Sequence, residues 1–175
     1  MDALLEQLRR TLESAIDGMS AEQFSWHPAN KWCAAEIVEH LYLSYTGTTK
    51  GFERMLEAGR PAATRASMRQ RTRVFVVFGF DYLPSGREAP APTRPKGLPA
   101  ETVRNGFSQK IAAMDAIITQ CEARFGSSTR VLDHPFLGPL TGAQWRKFHL
   151  LHGLHHQKQI ARLREAMTRE VPLPG

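Results

Sequence analysis

The stretch WRKFHLLHGLHHQKQIARL, from Trp145 to Leu163, holds four of the chain's seven histidines. Glycine apart, it reads as one helix. At roughly 100° per residue, His149, His152 and His156 fall within about 60° of one another, and Ile160 and Leu163 prolong the stripe. His155 lies to the side. Residues four apart on a helix have Cβ atoms about 5–6 Å from each other, close enough for two imidazoles to share one ion. His152 and His156 are such a pair, and pairs of this kind supply two legs of many metal sites. The run HGLHH has no glutamate beside its first histidine, so it lacks the built-in general base of the HExxH metalloproteases. A third ligand must come from elsewhere. His149 shares the stripe and stays open as a replacement for His152. His155 reads as a residue behind the ligands or on the surface.

The elements that must position these side chains are helical. Residues 3–17 carry a stripe of Leu5, Leu8, Leu12 and Ile16, with Asp2 as N-cap and Gly18 as stop. Ser20 to Phe24 reads as a further turn, and SWHPANKW as a loop. A second helix is expected over 33–58, where Ile37, Leu41, Tyr45, Thr48, Phe52 and Met55 keep the 3.6 period and Gly59 and Pro61 end it. His40 borders that stripe. Cys33 and Glu36 have capping-box spacing, with a thiol as the weaker acceptor. Glu36 can orient His40 or hold the helix start, and the second reading is preferred. A third helix is expected over 99–125, with Pro99 in its first turn, Gly126 just past its end and Cys121 as core filler. The fourth spans 142–168, begun by a Thr141/Gln144 capping box and a Leu140/Trp145 staple, and ending before Pro172.

Two stretches lack this period. SSTRVLDHPFLGPL reads as a loop, with His134 as loop structure. Residues 60–98 hold five prolines and many arginines around the apolar run TRVFVVFGFDYL. A strand there would have no partner, so the run reads as a short helix, followed by the loop GREAPAPTRPKG. A connection this long permits a crossover, so that helices two and three run parallel.

The chain of 175 residues is long enough for a single domain with a real core, and its hydrophobic fraction of 42% is ordinary. No apolar run approaches the ~20 residues of a membrane span. The acids in MDALLEQLRRTLESAID argue against a secretory leader. Cys33 and Cys121 read as reduced, separate thiols, which points to a bacterial-type cytoplasm. The net charge of +6 comes with no nucleic-acid signature, so a solvated basic linker is preferred to a nucleic-acid surface.

KWCAAEIVEHL, at the start of helix two, and HPFLGPLTGAQWRKFHLLHGLHHQKQI, leading into helix four, resemble the DinB-like superfamily. The family pattern is a tryptophan, then E-[IV]-x-x-H-L, then H-x-x-x-H-x-x-[QH]-I. Trp32, Glu36, His40, His152, His156, Gln159 and Ile160 match it, and HPFLGPLT is similar to one branch. The resemblance spans nearly the whole chain. It implies an all-α four-helix bundle, up-down-down-up, with 60–98 as the irregular crossover. It implies a divalent ion, zinc or nickel, on His40, His152 and His156. It also implies a thiol-dependent transferase using bacillithiol or mycothiol. Cys33 departs from the serine or threonine usual in the pattern, which touches capping and not the site.

Three functions follow as expectations. The first is a transferase joining a small-molecule thiol to an electrophilic substrate, with the thiol ionised at the ion's open position. Residues 60–98 would roof the pocket, Val74–Tyr82 forming its wall and Arg71 and Arg73 attracting carboxylates of the thiol. The second is a metal-dependent hydrolase using bound water. The third is a bundle with a structural ion, acting as a homodimeric interaction module.

Overall fold

The structure is a computed structural model. It describes residues 1–29, 31–84 and 88–170, the Glu170 side chain excepted. Asn30, residues 85–87 of the proline-rich loop and Pro172, each placed by the sequence reading, lie outside the described residues. The fold is mostly helical, with one small two-stranded sheet. In chain order it runs α1 (Ala3–Ile16), α2 (Ala21–Ser25), α3 (Ala34–Ala58), α4 (Met68–Gly79), a 3₁₀ turn at Ala91–Thr93, α5 (Ala100–Phe125), β1 (Arg130–His134), β2 (Gly138–Thr141) and α6 (Gly142–Glu170). None of the helices is long and apolar enough to cross a membrane.

The helix ends follow from local chemistry. Asp2 accepts the Leu4 N–H, and Ser20 and Gln23 close a capping box at α2. The Cys33 N–H donates to Glu36 Oε2 at 3.0 Å, so Glu36 holds the start of α3, as preferred above. Gly59 ends α3 in the left-handed region at φ +69°. Thr141 and Gln144 exchange hydrogen bonds at the start of α6. Pro99 sits one position earlier than expected: it is the N-cap of α5 and not part of its first turn.

Helix α3 lies mainly against α5, and α1 against α6. The stripes expected from sequence are the buried ones. Leu5, Leu8, Leu12, Tyr45, Phe52, Ile111 and Ile118 are buried at 0–1 % exposure, and Tyr45 and Phe52 turn their rings to His149 and Trp145 of α6. Burying each such side chain contributes about 1.5–3 kcal/mol. Gly153 explains itself here: a Cβ on it would lie 2.0 Å from Leu8 Cδ1. The glycine lets α1 lie close against α6 one residue after His152.

The loop expected over SSTRVLDHPFLGPL is instead a β-hairpin, Arg130–His134 against Gly138–Thr141, with a register shift between Arg130 and Leu132. It fastens to α3 through Leu132, whose Cδ2 lies 2.8 Å from where a Cβ on Gly51 would be. It fastens to α4 at Gly138, which has φ +76° and would carry its Cβ into the Gln70 amide. The apolar run 72–83 is helical as expected over 72–79, and leaves the helix at Phe80. Helix α4 buries Val77 and half-buries Val74 and Phe78.

Candidate functional site

His40 comes from the second turn of α3; His152 and His156 come from adjacent turns of α6. Their Nε2 atoms converge. His40 Nε2 and His156 Nε2 lie 3.1 Å and 3.0 Å from His152 Nε2. The ring centroids are 4.7–5.0 Å apart.

The opposite ring nitrogens fix this arrangement. His40 Nδ1–H donates to the Thr93 carbonyl at 2.8 Å, and His156 Nδ1–H donates to Gln159 Oε1 at 2.8 Å. Each therefore presents the Nε2 lone pair inward. Gln159 Nε2–H donates in turn to His155 Nε2 at 3.3 Å, which places His155 behind the ligands. His152 Nδ1 is buried with no partner among the described residues, and that ring is held by stacking on Phe148, 5.4 Å away at 18°. Trp32 packs on His40 at 5.4 Å.

Burial sets the charge state. Desolvation lowers the pKa of all three histidines, that of His156 to about 3, and neighbouring imidazoles push His152 and His156 further down. At neutral pH three uncharged imidazoles face one point. One proton on His152 cannot satisfy all three lone pairs, whereas one cation can. Nitrogens about 2.0–2.1 Å from an ion at roughly tetrahedral or square angles are about 2.9–3.4 Å apart, so the observed spacing fits a divalent ion. Among the described residues no carboxylate or thiol joins this group. His27, Cys33 and Glu36 form a second grouping, but Glu36 caps α3 and burial raises the Cys33 pKa.

The cluster opens on a cavity of about 950 Å³. The connection between α3 and α5 forms one side of it, through Leu83, Pro84 and residues 88–90, 92 and 93; the hairpin and the first turns of α6 form the other. The wall expected from Val74–Tyr82 is not there. Phe75, Phe80 and Tyr82 are 67 %, 70 % and 56 % exposed, because α4 turns its other face to the hairpin. Arg73 does line the cavity, and Arg71 does not.

Glu39, unremarked in the sequence, is buried and accepts the Lys96 and Gly97 N–H groups at 2.7 and 3.2 Å. With His40 it clamps 93–97 against α3. His149 is not part of the cluster: it is 1 % exposed, hydrogen-bonded with Thr48 at 3.0 Å and stacked on Trp145. Its Nδ1 has no partner among the described residues, and burial brings its pKa to about 3. His134, read above as loop structure, sits in β1 with its ring between Trp145 and Phe148, lining the cavity. No signal separated it from an ordinary His-Pro turn, because its setting is made by the hairpin.

No curated protein and no solved structure matches the chain. One family model does, over residues 5–163, a span that takes in all three converging histidines as well as the Leu8–Gly153 contact. Over that span the chain belongs to the family described as Protein of unknown function (DUF1569).

Proposed function

We propose that the chain is a DinB-like metal protein, a four-helix bundle of α1, α3, α5 and α6 in up-down-down-up order. It holds a zinc or nickel ion on His40, His152 and His156 and works as a thiol transferase. The observation that carries this reading is the convergence of three neutral Nε2 atoms whose opposite nitrogens are committed elsewhere or buried. An ion held there supplies an electrophilic centre with an open position, at which a low-molecular-weight thiol such as bacillithiol or mycothiol ionises near neutral pH.

The chain's own residues do the rest. Thr93 and Gln159 hold two imidazoles in the ligating tautomer. The rings of Phe136, Trp145 and Phe148 give the cavity an apolar wall against which thiol and electrophile are brought together. In the transfer the thiol's proton passes to solvent water, its sulfur lone pair forms a bond to an electrophilic carbon, and the leaving group departs with its bonding pair. An external thiol suits the chain because its own are unsuited. Cys33 and Cys121 are buried, and desolvation pushes the Cys121 pKa to about 11.

Hydrolysis fares less well: among the described residues no carboxylate joins the three histidines, and the acids that line the cavity, Asp133 and Glu88, are engaged by Thr64 and Arg94. A structural ion has one observation in its favour: His40 and the His152/His156 pair lie on different helices, which an ion would tie together.

The test is metal analysis and thiol-dependent modification of electrophiles, on wild type, His40→Ala and His156→Ala. One ion per wild-type chain, lost from both variants together with turnover while the fold persists, is the expected result. Equal metal content in all three removes the assignment. A variant that unfolds, with a wild type that binds no thiol by calorimetry, selects the structural ion.

A further inference from the structure

The cavity has a second end, away from the histidine cluster, where α4 meets the hairpin. Two donors there border Phe136. The Arg73 guanidinium lies over the Phe136 ring, 4.2 Å from its centroid, and spends one N–H on the Phe136 carbonyl at 3.2 Å. It makes no ion pair with a carboxylate among the described residues. His134 Nδ1 accepts two backbone N–H groups, from Phe136 and Leu137, each at 3.1 Å. An imidazole nitrogen that accepts twice carries no proton, so the proton of the neutral ring is on Nε2. That N–H has no acceptor among the described residues. Burial holds the ring neutral, with its pKa near 4.

The acids nearby are already engaged. Asp133 accepts from the Thr64 N–H and hydroxyl, and Glu88 pairs with Arg94. Both still line the cavity, and their charge disfavours a dianion. What this end offers is one fixed positive charge in a planar fork and one neutral donor, against the rings of Phe136, Phe148 and Trp145.

We infer that this end of the cavity is a carboxylate subsite, with Arg73 and His134 as its donors, so that the cavity takes a small apolar molecule bearing a single carboxylate. A single phenyl ring, that of Phe148, stands between the His134 and His152 rings, 4.2 and 5.4 Å from their centroids. One small molecule therefore reaches from the subsite to the histidine cluster. That reach rests on the function proposed above; the subsite itself does not.

The experiment has two arms. In the first, 3-phenylpropanoate and 3-phenylpropanol are titrated into metal-stripped wild type, Arg73→Leu and His134→Asn, following the histidine ¹⁵N resonances. His134→Asn keeps an acceptor for the hairpin N–H groups and takes the donor away from the Nε2 position, its own amide N–H lying nearer the backbone. Wild type is expected to prefer the acid roughly ten- to hundredfold, the worth of hydrogen bonds to a charged group, with a shift at His134 Nε2. Both variants are expected to lose the preference while keeping their circular dichroism. Equal binding of acid and alcohol, or an unchanged preference in both variants, overturns the subsite.

In the second arm, calorimetry compares ω-mercaptocarboxylates of increasing length with the matching mercaptoalcohols on zinc-loaded protein. A carboxylate preference that peaks at one length is expected. Thiols that bind equally with and without the carboxylate overturn the subsite and leave the ion reading standing. Carboxylate binding in the first arm with no gain from any thiol keeps the subsite and removes the thiol-transferase reading. A stronger preference for ω-mercaptoalkyl phosphates overturns the carboxylate in favour of phosphate.

Discussion

His134 shows how a burial site turns a titratable side chain into a neutral one. Its folded pKa is about 4, against 6.5 for an exposed imidazole, and desolvation is the cause. Below pH 6.5 the unfolded chain takes up a proton that the folded chain refuses until about pH 4. The stability that goes with this difference is fully present above pH 6.5 and is lost as pH falls from 6.5 to 4. His134→Asn is therefore expected to flatten the fall in stability across that window, measured by denaturant unfolding at several pH values. An unchanged slope would mean that the ring titrates normally in the fold. At this scale the sequence was legible where chemistry depends on side-chain spacing. His152 and His156 follow from a helical period. His40 follows from a motif that places it on a second helix. Thr93 could not be found, because it acts through its carbonyl. His134 could not, because its tautomer is imposed by two N–H groups of a turn that appears only after folding.

At the scale of elements, the long helices were readable because apolar residues step by three and four over many turns, and their ends carry Asp2, Gly59, Gly126 and the Thr141/Gln144 pair. The hairpin was not. Its strands are only five and four residues long, they do not alternate, and Pro139 falls inside the second. In a two-stranded sheet both strands are edges, so a proline can face outward without breaking the ladder. The pairing of α1 with α6 turns on Gly153. In Gly153→Ala the new methyl would overlap Leu8. The helix propensity of alanine would favour the variant by about 1 kcal/mol, and overpacking would cost about 1–3 kcal/mol. Overpacking is expected to win here, because Leu8 is fully buried and has nowhere to move. The expected outcome is a lower melting temperature, and a loss in the double variant Gly153→Ala/Leu8→Ala smaller than the sum of the two single losses. A more stable single variant would show that α1 can slide.

Across the whole molecule, the connection between α3 and α5 is held beside the site by being clamped to α3 at residues 39 and 40. The Glu39 carboxylate is buried and satisfied by two backbone donors. Glu39→Ala leaves the Lys96 and Gly97 N–H groups without their acceptor, at a cost of about 1–3 kcal/mol. The predicted consequence is local: trypsin should cut after Lys96 faster in the variant than in wild type, with the helical circular dichroism little changed. Equal cutting rates would mean that the crossover is held by something other than this clamp. The sequence identified 60–98 as a connection long enough to cross over, and left open what fastened it. A lone glutamate on the second turn of a helix resembles any solvated acid until the chain returns to meet it.

The contact between His40 and Thr93 bears on how such a protein could diversify. The acceptor for the imidazole proton is a main-chain oxygen, which every amino acid carries. A mutation that changes the side chain at 93, or at its neighbours Ala89, Pro90 and Pro92 along the cavity rim, alters the shape presented to a ligand and leaves that oxygen in place. The shape of the rim and the hold on the His40 ring are thereby written in separate inks. Gene copies could drift toward new small molecules through this rim, and each intermediate along the way would keep the imidazole in place.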